Sequence, residues 1–328
     1  MTMSETTTST FAARLFGKRT GPLGFGTGLL HQVGDASTCV RLLREAHEQG
    51  VAYFDTARLY AEGESERLLG EAFRGLRSEV ILATKVGILP VKRDLATRAK
   101  GKAASALRKF APLKAVVPDL VQHPEFGVFD RKRMQESLET SLRLLRTDYV
   151  DLLLLHECTL DNVRSDDVQT FLSAVVRDGK ARMVGVAPTA PEMLSIASSG
   201  VAYGDVAQFD SRIRHFFPPS GAAIPALVVT HSCLGEPYKG VVNRLKTDDA
   251  LRARWSGELG IDARDNSQVA QAFLAQALAQ NPEGMVLFST TRPERLRQNL
   301  VAESWLSTPD RCDVAARLIA EASATVEA

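Results

Sequence analysis

Val51-Ala52-Tyr53-Phe54-Asp55, then Glu64-Ser65-Glu66-Arg67-Leu68-Leu69-Gly70-Glu71-Ala72-Phe73, then Val80-Ile81-Leu82-Ala83-Thr84 follow one another closely in the chain. The outer two runs are short, rich in aromatic and aliphatic residues, and nearly free of a polar face, as buried strands are. The middle run places Leu68, Leu69, Ala72 and Phe73 on one side of a helix. Strands apolar on both faces belong to a parallel sheet whose crossover helices cover it. This strand–helix–strand unit sets the pattern for the rest of the chain.

Upstream, Leu23-Gly24-Phe25-Gly26-Thr27-Gly28 reads as a buried strand opening into a tight loop. Asp35 or Ser37 is placed to cap the helix that follows, which carries Val40, Leu43, Ala46 and His47 on one face and stops at Gly50. Downstream, strands are expected at 150–155, 183–187, 206–209, 226–230 and 285–288, and helices at 131–145, 167–177, 191–198, 267–279 and 293–300. Together with the first segment, 51–55 and 80–84, this gives eight strands. That number predicts an α/β closed (β/α)8 TIM barrel over an open doubly wound sheet. The repeat asks for one more helix after 206–209, but residues 212–225 contain Pro218-Pro219 and show little helical period. An apolar segment with Val314, Leu318 and Ile319 fits a packed C-terminal helix.

Composition bounds the function. The 328 residues are 45% hydrophobic and 24% charged, which is the balance of a globular protein. A formal net charge of +1 gives no reason to expect a polyanionic partner, so nucleic acid is not an expected ligand. No apolar run approaches the roughly 18–20 residues needed to span a bilayer, so no membrane partner is expected either. The Ser/Thr-rich residues 1–12 read as a disordered tail without the order of a secretory signal, and 13–328 as one domain. Cys39, Cys158, Cys233 and Cys312 are far apart, which argues against a zinc site or disulfide framework and fits a cytoplasmic protein. One segment breaks the repeat. An insertion at about 88–129 is far longer than a usual βα loop and is basic, with Lys92, Arg93, Arg98, Lys100, Lys102, Arg108, Lys109 and Lys114. It is either a lid or wall at the substrate side, which would favour an anionic substrate, or a solvated helical insertion.

In such a barrel the C-terminal strand ends converge on one mouth. Asp55, Lys85 and His156 occupy the ends of the second, third and fourth expected strands, and Tyr60 follows in the loop after Asp55. Singly, each has an ordinary explanation as a cap, a solvated charge or a packed ring. Jointly they suggest proton chemistry at an oxygen. A phenol with an unperturbed pKa near ~10 needs a neighbouring ammonium to lower it. A carboxylate would hold that ammonium, and an imidazole would orient the substrate oxygen. No metal cluster and no Gly-x-Ser-x-Gly turn is present in the sequence, so a hydride-carrying cofactor completes the chemistry most simply.

Several of these segments resemble the aldo-keto reductase family. They are Tyr53-Phe54-Asp55-Thr56-Ala57 through Tyr60, Gly63-Glu64-Ser65-Glu66 with Gly70, and Thr84-Lys85. Ser137-Leu138, Ser141-Leu142, Leu145, Asp148-Tyr149-Val150-Asp151-Leu152 with His156, and Gly179-Lys180 with Gly185-Val186 continue the likeness, which runs from about Gly24 to Leu300. The resemblance implies a TIM barrel and reversible hydride transfer between NADP(H), less often NAD(H), and a small-molecule carbonyl or alcohol. It implies Tyr60 as proton donor, Lys85 and Asp55 as its tuning pair, and His156 as the orienting group. It also implies a cofactor set. Gly26, Thr27 and Asp55 lie at the mouth, Gln208 holds the carboxamide, and Ser232 and Leu234 of residues 231–235 bind the pyrophosphate. Ser289, Thr290, Arg295, Gln298 and Asn299 form the adenosine end, where hydroxyls and a guanidinium suit a 2′-phosphate.

Two positions depart from the family pattern. Ala187-Pro188 stands where Ser-Asn usually contacts the carboxamide, and His231 stands where an aromatic ring commonly stacks on the nicotinamide. Lowered cofactor affinity is the expected result. The glycine turn and long loop look like the bacterial sugar- and pyridoxal-dehydrogenase branch. A cofactor-binding redox sensor, similar to the channel β-subunits of the family, is the alternative in which turnover is weak or absent.

Overall fold

The alternation expected along the chain closes on itself in three dimensions. A computed structural model describes residues 16–18, 20–91, 123–212 and 225–324. The expected tail at 1–12, most of the basic insertion (92–122) and most of the stretch after the sixth strand (213–224) lie outside the described residues. Strands β1 (Leu23–Gly26), β2 (Tyr53–Asp55), β3 (Ile81–Val86), β4 (Val150–His156), β5 (Ala181–Ala187), β6 (Val206–Asp210), β7 (Leu227–His231) and β8 (Met285–Phe288) form a closed barrel in chain order. Every neighbouring pair is parallel, and β1 seals against β8 with Phe25 opposite Phe288. The helices are α1 (Ala36–Glu48), α2 (Ser65–Ala72), α3 (Arg131–Leu145), α4 (Leu160–Arg164), α5 (Asp166–Arg177) and α6 (Ala190–Ser198). After β7 come α7 (Glu236–Thr247), α8 (Asp249–Leu259), α9 (Asn266–Gln280), α10 (Pro293–Leu300) and α11 (Pro309–Ala324).

Local chemistry sets the element ends. Asp35, not Ser37, caps α1 by accepting from the Thr38 N–H at 2.8 Å, and Gly50 leaves the helix at φ +96°. Asp130 caps α3 in the same way through Arg133. Several strand boundaries differ from the sequence expectation by one or two residues. Strands β3 and β4 extend through Lys85–Val86 and His156, because these backbones stay in the ladder opposite Leu154–Leu155 and Ala187. Strand β2 is shorter than expected and begins at Tyr53. Helices α7 and α8 were not anticipated, since their apolar faces are narrow; α8 buries only Trp255 and Leu259. Their markers are Pro237 in the first turn of α7 and Asp248, which caps α8 through Leu251 N–H.

Two apolar layers hold the barrel. One lies between strands and helices. The other fills the barrel itself with Phe16, Tyr53, Ile81, Leu152, Val206, Leu227, Met285 and their neighbours. At the N-terminal end, buried Asp151 collects Lys18 Nζ at 2.9 Å, Arg77 Nη2 at 2.8 Å and the Leu82 N–H at 2.9 Å. That network ties the segment carrying Phe16 to the base of the barrel. Gly185 permits the β5–β6 pairing, for a Cβ there would lie 2.0 Å from Val206 O. Gly185→Ala is therefore expected to cost about 3 kcal/mol through forced separation of these strands. Urea denaturation measures this, and an unchanged midpoint would show that β5 and β6 part freely. Among the described residues, no helix is long and apolar enough to cross a membrane.

Candidate functional site

Alternation along each strand explains how the polar residues come together. In β3, Ile81 and Ala83 point into the barrel and Lys85 is the next residue of that series; in β4, Leu152 and Leu154 lead to His156. By the same step of two, Tyr53 leads to Asp55, Val206 to Gln208 and Asp210, and Leu227 and Val229 to His231. Apolar side chains fill the barrel, and the last inward position of each of these strands is polar. The mouth of the barrel is thereby lined with ionisable groups.

Lys85 Nζ donates to both carboxylate oxygens of Asp55 at 2.7 Å and to Thr56 O at 3.0 Å. Both side chains are buried, so the pair is shielded from water. Tyr60 stands over it, with the Lys85 ammonium 4.8 Å from its ring centroid and the His156 ring edge-on at 5.7 Å. The Tyr60 loop is held by a buried polar web. Thr27 donates its hydroxyl to Asp55 O at 2.7 Å, Ser65 donates to Thr27 Oγ1 at 2.6 Å, and Thr56 and Ser65 share a hydrogen bond of 2.7 Å. Glu66 accepts from Thr84 Oγ1 at 2.7 Å and from Arg58 Nη1 at 2.9 Å. After Tyr60 the backbone turns left-handed at Ala61 (φ 49°), Glu62 (φ 58°) and Gly63 (φ 88°) before α2 begins. Two of these residues carry a Cβ, so the turn is strained and depends on the surrounding web.

The electrostatics correct one expectation. The Lys85 ammonium does favour the Tyr60 phenolate, but burial opposes ionisation more strongly, and the phenol sits above its ordinary range rather than below it. Tyr60 thus stays protonated across neutral pH. Lys85 loses hydration by burial, yet Asp55 and Tyr60 together more than compensate, so its ammonium is held above the ordinary range. His156 is pushed down to about 3 by burial, with Lys85 and His231 adding to the effect, and is a neutral imidazole. Its Nδ1 is buried without a hydrogen-bond partner.

Two cavities meet at Tyr60, Gln208 and His231. The first, of about 330 Å³, is lined by Lys85 and His156 and continues past Glu157, Pro188, Thr189 and Arg212. The second, of about 410 Å³, runs past Gly26, Asp55, Ser232, Leu234, Leu287 and Ser289. Gln208 is buried at their junction with its Oε1 unpartnered. His231 Nδ1 lies 2.8 Å from Ser232 Oγ, and Ser232 holds a left-handed backbone at φ 66°. Ser289 donates its hydroxyl to Gly26 O at 2.7 Å. Thr27 is fully buried and lines neither cavity, its hydroxyl and N–H both donating to Asp55 O. Thr290, Arg295, Gln298 and Asn299 stand beyond Ser289, at the start of α10 and along it, and line neither cavity. Arg295 is close enough to Asp265 and Tyr238 to lower both their ionisation ranges through its charge, although other effects dominate those groups. Sequence reasoning missed Glu157, Asp210 and Arg212. Asp210 was legible as the inward residue two beyond Gln208; Glu157 carried no signal, since its placement depends on an irregular backbone.

Comparison with known proteins agrees with this architecture. Residues 22–207 match the model of the Aldo/keto reductase family. An aldo-keto reductase of Alternaria alternata is 28% identical over 185 residues, covering 56% of this chain and 48% of that protein. The chain thus spans about half the length of that relative, but 86% of an uncharacterised oxidoreductase of Bacillus subtilis, with 23% identity over 84% of this chain. The structure of an aldo-keto reductase from Klebsiella pneumoniae in complex with NADPH superimposes with a TM-score of 0.58 at 21% identity, covering 92% of this chain and 91% of that one.

Proposed function

The chain belongs to the aldo/keto reductase family, and from that premise we propose that it moves a hydride reversibly between NADP(H), with NAD(H) the lesser choice, and a small aldehyde, ketone or aldose. The observation that carries this reading is the convergence of Asp55, Lys85, Tyr60 and His156 where the two cavities join. The residues present fit a dinucleotide. Gln208 offers a buried, unpartnered amide oxygen to a carboxamide N–H, and the second cavity leads from it past Ser232 and Leu234 to Ser289. Ala187 and Pro188 line the first cavity but provide no side-chain donor, so Gln208 carries that contact alone and affinity is lowered.

When bound, the nicotinamide supplies or accepts the hydride at the carbonyl carbon. Everything else falls to the protein. Tyr60 donates its phenolic proton to the substrate oxygen as the C=O bond becomes CH–OH, and the phenolate left behind is stabilised by Lys85. Asp55 keeps Lys85 charged and aimed. Neutral His156 hydrogen-bonds the same oxygen and orients it. Alcohol oxidation runs these steps in reverse, with the phenolate taking the proton.

Calorimetric titration with NADPH and NADH, followed by assay of aldehydes, ketones and aldoses in both directions, tests the reading. Binding of at least one nucleotide with turnover of a carbonyl is expected; failure to bind either would overturn it. Arg295→Gln is expected to weaken NADPH about tenfold more than NADH, as loss of a charged hydrogen bond to a 2′-phosphate would. Equal losses would place the 2′-phosphate elsewhere, since Asp265 already shares the field of Arg295.

A further inference from the structure

The cavity beside the tetrad carries four charged side chains among the described residues: Lys85, Glu157, Asp210 and Arg212. Three of them are neutralised where they stand. Lys85 is bound to Asp55 at 2.7 Å, and Arg212 forks onto Asp210 through Nε at 2.9 Å and Nη2 at 2.8 Å. Burial lowers the ionisation range of both His156 and His231, so neither imidazole adds a positive charge. One carboxylate is left over. Glu157 is exposed on the cavity wall, and among the described residues its side chain has no ion-pair or hydrogen-bond partner.

Its position is not a passive consequence of the strand. Glu157 immediately follows the last residue of β4 and is left-handed at φ 49°, with its N–H donating to Ala187 O at 2.8 Å. A residue with a Cβ adopts that conformation only at an energetic cost. The carboxylate is also near enough for its charge to oppose ionisation of the Tyr60 phenol, which places it within Coulombic reach of the oxygen that transfers the proton.

We propose that Glu157 sets the charge preference of this site, favouring carbonyl substrates that bear hydroxyl or cationic groups and disfavouring those with a carboxylate or phosphate near the carbonyl. The inference rests on the reductase reading and narrows its substrate class. A carboxylate with no partner among the described residues accepts hydrogen bonds from a polyol and attracts an ammonium, while an anion entering the same wall meets its like charge. The sign is opposite to the anionic preference that one of the two readings of the basic insertion at about 88–129 implied.

Three para-substituted benzaldehydes of similar size test this: 4-nitro (neutral), 4-carboxy (anionic) and 4-trimethylammonio (cationic). With the wild-type protein, kcat/KM is expected to rise about fivefold from anionic to neutral and again from neutral to cationic, after correction for intrinsic reactivity. In Glu157→Gln the cationic-to-anionic quotient should fall from about 25-fold to within about twofold of unity, the loss of the interaction that the carboxylate supplies. Raising salt from 0.05 to 0.5 M should compress the wild-type quotient without any mutation, because an exposed charge is screened. Turnover with a quotient that neither the substitution nor salt moves would overturn the role of Glu157 while leaving the reductase reading intact. Absence of turnover with all three aldehydes, and with the wider carbonyl panel, would overturn both.

Discussion

Tyr60→Phe is expected to lower kcat for carbonyl reduction by roughly 10²–10⁴-fold, the contribution of a positioned general acid. Nucleotide affinity should change by no more than about twofold, because the lost group acts on the transition state. The substitution is conservative in the required sense. A phenyl ring keeps the edge contact with His156 at 5.7 Å and the face presented to Lys85 at 4.8 Å, so only the hydroxyl is lost. The pH profile supplies a second readout. On the proposed mechanism the acid form of Tyr60 is the active one, and burial raises its range, so above neutral pH wild-type reduction should fall beyond the ordinary phenol range. If neutral His156 is the form that orients the substrate, the acid limb should lie at about 3, leaving a plateau through neutral pH. The alkaline limb should vanish in Tyr60→Phe. A variant that keeps full turnover would assign the proton to another group.

Lys85→Met should have the largest combined effect on activity and stability. Asp55 is 2% exposed, and Lys85 is the cation bound to both of its carboxylate oxygens. Removing one partner of such a pair costs about 3–5 kcal/mol, because a buried charge is left uncompensated. Turnover should fall at least as far as in Tyr60→Phe, since the phenolate formed by proton donation loses its counter-charge. The double variant Asp55→Asn/Lys85→Met separates the two losses. Urea denaturation should show most of the stability restored once no buried charge remains, while kcat stays at the level of the single variant. Recovery of turnover along with stability would mean that the pair serves folding alone.

Much of the architecture was legible because the helical and strand periods are clean. Leu68, Leu69, Ala72 and Phe73 marked a helix face, and the strands were apolar on both sides, so the barrel followed from counting. The tetrad was legible for the same reason, as polar residues at or near the ends of apolar runs. Less could be read where packing, rather than pattern, decides. Helix α8 has too narrow an apolar face to stand out, and the extra reach of β3 and β4 depends on pairing across strands. The direction of the Tyr60 shift was misjudged because sequence displays the ammonium but not the burial that outweighs it. Thr27 was expected at the cofactor, yet its hydroxyl serves the backbone of Asp55. Glu157 was invisible, since no residue pattern announces a left-handed turn at a glutamate.

A single-turnover reaction with nicotinamide-deuterated NADPH and a carbonyl panel, analysed by mass spectrometry, tests the central claim most directly. The account predicts one deuterium on the carbinol carbon of the product and a solvent proton on its oxygen, with transfer severely slowed in Tyr60→Phe. Bound NADPH that delivers no deuterium to any aldehyde, ketone or aldose would contradict it.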